Sequence, residues 1–461
     1  MKTRMLKALA ILAVGLPLAS CNKGGGESVS VPDQYVMPES FSNITLKVWD
    51  SISGQDGTAY AQMINEFNDQ YFGQIYVERV PNPTDTAYYS NIELALGQDD
   101  GPDVVETGSD IVAQWGYQGN ILADLTPIFD AIGEPIDASD FDQNILDAGK
   151  WDGAQIELPM GLHGTVLFIN DTVWDTYFPD EEQPEVWTRD LVKKYGSKVK
   201  ELSGGKVYGL PMSSEFPGNT YGQFDAFYQN GGKFTLAPDD YTVNFYTQAG
   251  IDGIKSFTEI IFNGGDSFGG ADNRIGNDTD LNWFNSKQSL FLVDGTWCLP
   301  NIYTAVESDS FEWHAAPISG LYALDPDKDY ADSILVQSHN FGITLNCAAD
   351  NDKACAAAVF VDWMTKNCVP YCSSGHIAAR KSVRETQEYK DACPHHEEFG
   401  DPTDFILNEP NPAVLYMQNE YSGAMSDIIG GGSNDDTTIN ATLEIRRRNA
   451  EQEIEQWLAS Y

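Results

Sequence analysis

Six of the seven cysteines in this 461-residue chain fall between Cys298 and Cys393, and the histidines His376, His395 and His396 lie near the last of them. Thiols and imidazoles at that density have two chemistries open to them. Outside the cytoplasm an even set of cysteines forms disulfides, and Cys347 with Cys355 and Cys368 with Cys372 are the pairings expected, although spacing alone does not fix connectivity. The alternative is a zinc site drawn from Cys368, Cys372, His376, Cys393, His395 and His396. Their spacing matches no zinc module, so neither a metal site nor a cofactor is expected. Cys355 lies in ACAAAVFVDWM, which reads as a nearly all-apolar buried helix. Carboxylates are so numerous that chance pairs arise everywhere, and neither H-E-x-x-H nor a P-loop marks a catalytic arrangement.

The chain opens with Lys2, Arg4 and Lys7 ahead of an apolar run from Ala8 to Ala19. That run is too short to span a bilayer and reads as a secretion leader. Leu18, Ala19, Ser20 and Cys21 resemble the lipobox of bacterial lipoprotein precursors, which implies a signal peptide over residues 1–20 and lipidation at Cys21; an ordinary cleaved leader is the alternative. Residues 21–43 are rich in Gly, Ser and Pro and read as a flexible tether. A formal charge of −42, spread along the chain, disfavours nucleic acid and anionic membrane surfaces as partners.

Ile44, Leu46 and Val48 alternate with polar or amphipathic residues as in a strand. After the loop DSISGQDG, the spacing of Tyr60, Met63, Ile64, Phe67 and Tyr71 predicts a helix over 58–71, capped by Asp56 or Thr58. QIYVERV is a second strand, residues 85–96 a second helix, and PDVVETGSD a short third strand with a polar loop. Ser109 or Asp110 can cap a helix carrying Ile111, Val112 and Trp115. This alternation predicts a parallel α/β sheet with its ligand crevice beyond the carboxyl ends of the strands. In ELPMGLHGTVLFIND, Val166 to Ile169 form a buried-strand run, and Pro159, Gly161 and Gly164 predict a break ahead of it. We read that break as a hinge between two lobes. Further helical faces fall at Ile251, Ile254, Phe257, Ile260 and Ile261, and at Ile439, Leu443, Ala450, Ile454, Trp457 and Leu458.

The order of these pieces is similar to that of family 1 extracellular solute-binding proteins, the carbohydrate receptors of bacterial ABC importers. ITLKVW with its SGQDG loop, GPDVVETGSDIVAQWGYQGNILADLTP, LPMGLHGTVLFIND, YGLPM, FNSKQSLFLVDGTW, HNFGIT and the helix after IIGGGS carry the resemblance, across residues 44 to 460. It implies a type II periplasmic-binding-protein-like fold, in which two α/β lobes are joined by a multi-segment hinge with the ligand cleft between them. The expected lobes are 44–162 plus 342–385, and 163–341 plus 386–461. The implied function is capture of a carbohydrate, an oligosaccharide in the first instance, by hinge closure and delivery to the membrane permease. The implied protein is a monomer, not an enzyme, tethered at the outer face of the cytoplasmic membrane. A cell-surface glycoside hydrolase is the alternative, and it would need two carboxylates facing across the cleft.

Sugars demand aromatic planes for their C–H faces and fixed polar partners for their hydroxyl groups. The resemblance places Trp297, in DGTW, where a stacking aromatic is common. It places Ser53 and Gln55 in the loop after the first strand, and Thr107, Ser109 and Asp110 after the third. His163, His339 and Asn340 fall in the two crossing segments. Asn219 and Tyr221, and then Tyr416 and Tyr421, complete the set of expected ligand contacts. One departure is Ala378, in GHIAARKSV, where the family tends to have proline.

Overall fold

The computed structural model describes residues 29–82, 87–96, 101–213, 220–262, 267–271, 275–276, 278–407 and 409–459. Cys21, the leader, Asn219 and the start of the helix expected at 85–96 lie outside the described residues; that helix is described over Tyr88–Leu96. Strand β1 (Ile44–Asp50) buries Leu46, Val48 and Asp50 in alternation. Strands β2 (Ile75–Pro81) and β3 (Val104–Gly108) flank it, both parallel. The helix Gly54–Gln70 presses Tyr60, Met63, Ile64 and Phe67 into the core. It begins a turn earlier than its apolar face predicts, so Ser53 rather than Asp56 or Thr58 stands at its N-cap position. Its polar first turn hides from a periodicity argument because apolar spacing starts only at Tyr60.

A small hairpin of β4 (Lys150–Trp151) and β5 (Ala154–Gln155) leads into β6 (Leu158–Asn170), the longest strand. β6 does not break at its glycines. It runs unbroken for 13 residues, and the irregularity is a register shift against its neighbour between Pro159 and Gly161. Proline lacks the N–H that a ladder needs, and a bulge accommodates that without ending the strand. The second half of β6 pairs antiparallel with β7 (Phe291–Gly295) and β8 (Trp313–Pro317). Its first half pairs with β9 (Ile334–Ile343) and with β10 (Ile377–Ala378), where Ala378 sits opposite Gly161. β9 in turn pairs antiparallel with β3, and β11 (Phe405–Ile406) pairs parallel with its start.

Two long strands therefore belong to two bodies at once. The sheet is parallel in its first three strands, as alternation predicts, and antiparallel where β6 and β9 cross. Two α/β lobes share these crossings. On the first side, the helix Asn351–Lys366 packs its apolar face beside β1 and the helix Thr126–Ile132, and Arg380 and Arg384 reach Asp140 and Asp142 at 3.0 and 2.5 Å. On the second, the helix Val414–Gly431 packs against Asp436–Leu458, which buries Ile439, Leu443, Ala450, Ile454 and Trp457.

The cysteines differ from expectation. All six described are buried free thiols. Cys368 and Cys372 flank one short helical turn with their Sγ atoms 3.7 Å apart, well beyond the ~2.05 Å of a disulfide. The zinc alternative does not assemble either, because His376 points away to Asp56, His396 bonds to Tyr389 and His395 lies against Trp313 and Glu398.

Candidate functional site

The carboxyl ends of β1 and β3 and the crossing strands β6 and β9 converge, and a polar layer forms there. Asp50, wholly buried at the end of β1, holds Arg79 through two bonds of 2.7 and 2.8 Å. Glu106 and Thr107 follow at the end of β3. Thr107 donates to Glu157 at 2.7 Å, and the Asn340 amide donates to the other Glu157 oxygen at 2.8 Å. Burial pushes the Glu157 carboxyl up to about 8 against those two bonds. Asn340 Oδ1, Ser338 Oγ and Ser109 Oγ are buried with no hydrogen-bond partner among the described residues.

Three imidazoles meet beside Glu106 and Asp56. His163 on β6 and His339 on β9 have ring centroids 4.6 Å apart, and each lies 5.4 Å from His376, which precedes β10. His339 Nδ1 is 2.5 Å from Glu106 Oε1, and His376 Nε2 is 3.1 Å from Asp56 Oδ2. Burial works to lower the His339 pKa, but the Glu106 carboxylate together with Asp56 and Asp50 outweighs it and the net shift is upward. Burial, with the two neighbouring imidazoles, pushes His163 well below the ordinary histidine range. Burial also lowers His376 in spite of Asp56.

The second lobe contributes aromatic faces. Tyr221, on the helix Thr220–Tyr228, bonds through its hydroxyl to His163 Nε2 at 3.0 Å. Trp297 follows β7, its ring 5.4 Å from Tyr221 and 5.7 Å from His163. The Gly295 Cα tucks beneath that indole, where a Cβ would come within 2.1 Å of it. Gly375, with φ +115°, touches the backbone beside it: a Cβ there would lie 2.0 Å from the Thr296 carbonyl oxygen. The two lobes are in contact at this point.

Of the expected contacts, His163, Tyr221, Trp297 and His339 come together, while Thr107 and Asn340 meet separately at Glu157. Asp110 accepts from Tyr89 at 2.8 Å above Gly108 and does not cap the following helix, and Ser109 does not cap it either. Ser53 and Gln55 are exposed on the first turn of their helix. Tyr416 packs near Trp457, with ring centroids 6.1 Å apart. Tyr421 is wholly buried among Phe227, Phe234 and Phe245 and donates to the Gly250 carbonyl, which makes it core. Asp56, Glu106, Glu157 and His376 escaped a sequence reading. Asp56 resembles a helix cap, and His376 resembles a partner of nearby cysteines. Residues 265–269, GDSFG, fit G-x-S-x-G, yet the exposed Ser267 hydroxyl donates to Glu259 and not to a histidine.

No protein-family model matches the chain, and no curated protein sequence matches it. Solved structures do. The GacH receptor of Streptomyces glaucescens, solved unliganded and with acarbose, superposes with a TM-score of 0.68 at 18% identity, over 88% of this chain and 98% of that one. The fold is that of the type II periplasmic binding proteins. The Thermus thermophilus maltotriose-binding protein, bound with maltotriose, shares this binding-protein fold at a TM-score of 0.66 and 16% identity, over 89% of this chain and 100% of its own. UgpB from Mycobacterium tuberculosis, in complex with glycerophosphocholine, superposes at 0.69 with 17% identity, over 89% and 99%. In the binding-protein fold the polar layer of this chain occupies the junction of the two lobes.

Proposed function

We propose that the chain is the solute-binding component of an ABC importer, capturing a carbohydrate between its lobes and presenting the closed form to a membrane permease. One observation carries this reading. The lobe junction carries the neighbouring rings of Trp297 and Tyr221 and, on β9, at the end of β3 and on the residue before Trp297, buried polar atoms without a hydrogen-bond partner among the described residues: Asn340 Oδ1, Ser338 Oγ, Ser109 Oγ and Thr296 Oγ1. Unsatisfied buried polar groups cost about 1–3 kcal/mol each, so their presence beside aromatic faces favours a hydroxyl-rich solute that pairs them. The lobes are taken as 44–162 plus 342–385, and 163–341 plus 386–461. Lipidation at Cys21 would hold this body at the outer face of the membrane, as a monomer. Among the described residues no helix is long and apolar enough to cross a membrane. No bond need be made or broken, and we assign no catalytic residue.

A thermal-shift screen against mono- and oligosaccharides, followed by calorimetry, tests the reading. A solute at 100 times its dissociation constant adds about 2.7 kcal/mol of stability. The expected result is one sugar class that stabilises the chain, is recovered unchanged, and binds on the order of ten-fold more weakly to Trp297→Ala. Consumption of the sugar would replace the receptor reading with a hydrolase. A sugar bound equally well by Trp297→Ala would move the site elsewhere.

A further inference from the structure

The chain has only six histidines, and three of them, from three elements, meet in one cluster. A nitrogen of each ring of His163, His339 and His376 lies within 4.8 Å of the others. Each ring is also held from behind by its other neighbours: His339 Nδ1 by Glu106, His376 Nε2 by Asp56, and His163 Nε2 by the Tyr221 hydroxyl. Each of those bonds fixes a ring orientation and leaves the opposite nitrogen. The Nδ1 atoms of His163 and His376 are buried with no partner among the described residues, and the His376 residue is only 1% exposed. Tyr371 stacks on the His376 ring with centroids 4.3 Å apart and restrains it further.

Sugar recognition does not call for this arrangement. Three imidazoles with nitrogens this close crowd their lone pairs when neutral and repel when charged, so a cluster of this kind gains most from a shared cation. A carboxylate or hydroxyl behind each imidazole is the outer support that raises the basicity of a metal-ligating histidine and sets its orientation.

We propose that His163, His339 and His376 bind a divalent transition-metal ion of the zinc class, with Glu106, Asp56 and Tyr221 as the outer partners. Imidazole nitrogens are the ligand type such ions prefer over magnesium or calcium, which take oxygen. Nitrogens bound to zinc at ~2.1 Å sit about 3.4 Å apart in a tetrahedron, so ring movements of about an ångström close the site. Three protein ligands leave a tetrahedral ion one open position, available to water or to an oxygen of a solute. The inference goes beyond the carbohydrate reading and does not depend on it. His163 and His339 lie on the two crossing strands, and Tyr221 comes from the second lobe, so bound metal would also tie the hinge to both bodies.

The test uses the full chain, stripped with a chelator and titrated with zinc chloride by calorimetry in the absence of any sugar, with cobalt(II) absorption as a second readout. The expected result is one zinc ion per chain at micromolar affinity or better, and a visible cobalt spectrum of tetrahedral type. His163→Ala and His376→Ala should each weaken zinc at least 100-fold, and the milder His339→Gln should weaken it while preserving the fold by circular dichroism. Absence of stoichiometric zinc binding by the native chain overturns the proposal, whatever the variants do. So does zinc binding of equal strength in the histidine variants, which would move the ion to another site such as the thiols. Sugar binding measured separately, with and without zinc, leaves the receptor reading to stand or fall by itself.

Discussion

Glu157 shows how one buried side chain sets a pH dependence. Its carboxyl titrates near 8 in the folded chain, raised by burial from an ordinary 4.5. Below about 4.5 it is protonated in both states, and its contribution to stability is fully present. As the pH rises toward 8 the unfolded chain has released that proton while the folded one retains it, so the contribution is lost. Burial also raises Asp225 to about 7 and Asp294 to about 8, and both act in the same sense. Stability should therefore decline between about pH 5 and 8, by up to about 1.4 kcal/mol per pH unit for each such group. Urea titrations across that range should show a shallower decline in Glu157→Gln, which mimics the protonated acid; an unchanged slope would mean that Glu157 ionises in the fold. Tyr421 is a contrasting residue. Its hydroxyl bonds to the Gly250 carbonyl at 3.1 Å inside an aromatic core. Tyr421→Phe should cost about 1 kcal/mol of stability and leave solute affinity untouched; a loss of affinity without a loss of stability would return it to the binding set.

At the scale of elements, the turn before β10 closely meets the turn after β7. Gly375 holds φ +115° with its Cα against the Thr296 carbonyl, a geometry that admits no side chain. Gly375→Ala should either cost a few kcal/mol of stability or hold the lobes apart, lowering solute affinity while each lobe stays folded. Calorimetric unfolding together with a binding isotherm separates the two effects, and a variant unchanged in both would show that the lobes do not need this contact. β6 makes a related point. Its Pro159 and Gly161 read in sequence as an interruption, yet the strand continues because β9 and β10 supply partners on both edges of its first half. Pairing from distant chain segments outweighed the local preference.

At the scale of the whole molecule, two lobes are tied by two long crossing strands and touch again through the C-terminal helix, whose Trp457 lies 5.1 Å from Tyr117 of the first lobe and 6.1 Å from Tyr241 of the second. Trp457→Ala should relax that contact and shift the population toward an open form, weakening solute several-fold with the Trp297 site intact. Small-angle scattering should show a larger radius of gyration for the variant without solute; an identical radius and affinity would make the contact incidental. Much of this architecture was legible in the sequence. Alternating apolar residues in ITLKVW, the helical faces at Tyr60 to Phe67 and at Ile439 to Trp457, and the apolar run Val166 to Ile169 each determined an element, because burying one face is a local demand that local spacing records. Trp297, His163 and His339, expected as ligand contacts from the order of motifs, do stand together. The tertiary structure alone decided that a carboxylate from the first turn of a helix and another from β3 stand behind two of three histidines. It also left the cysteines free and made Tyr421 core. Those outcomes depend on which strands pair and in what register, and pairing is set by contacts between residues far apart in the chain, which no local spacing encodes.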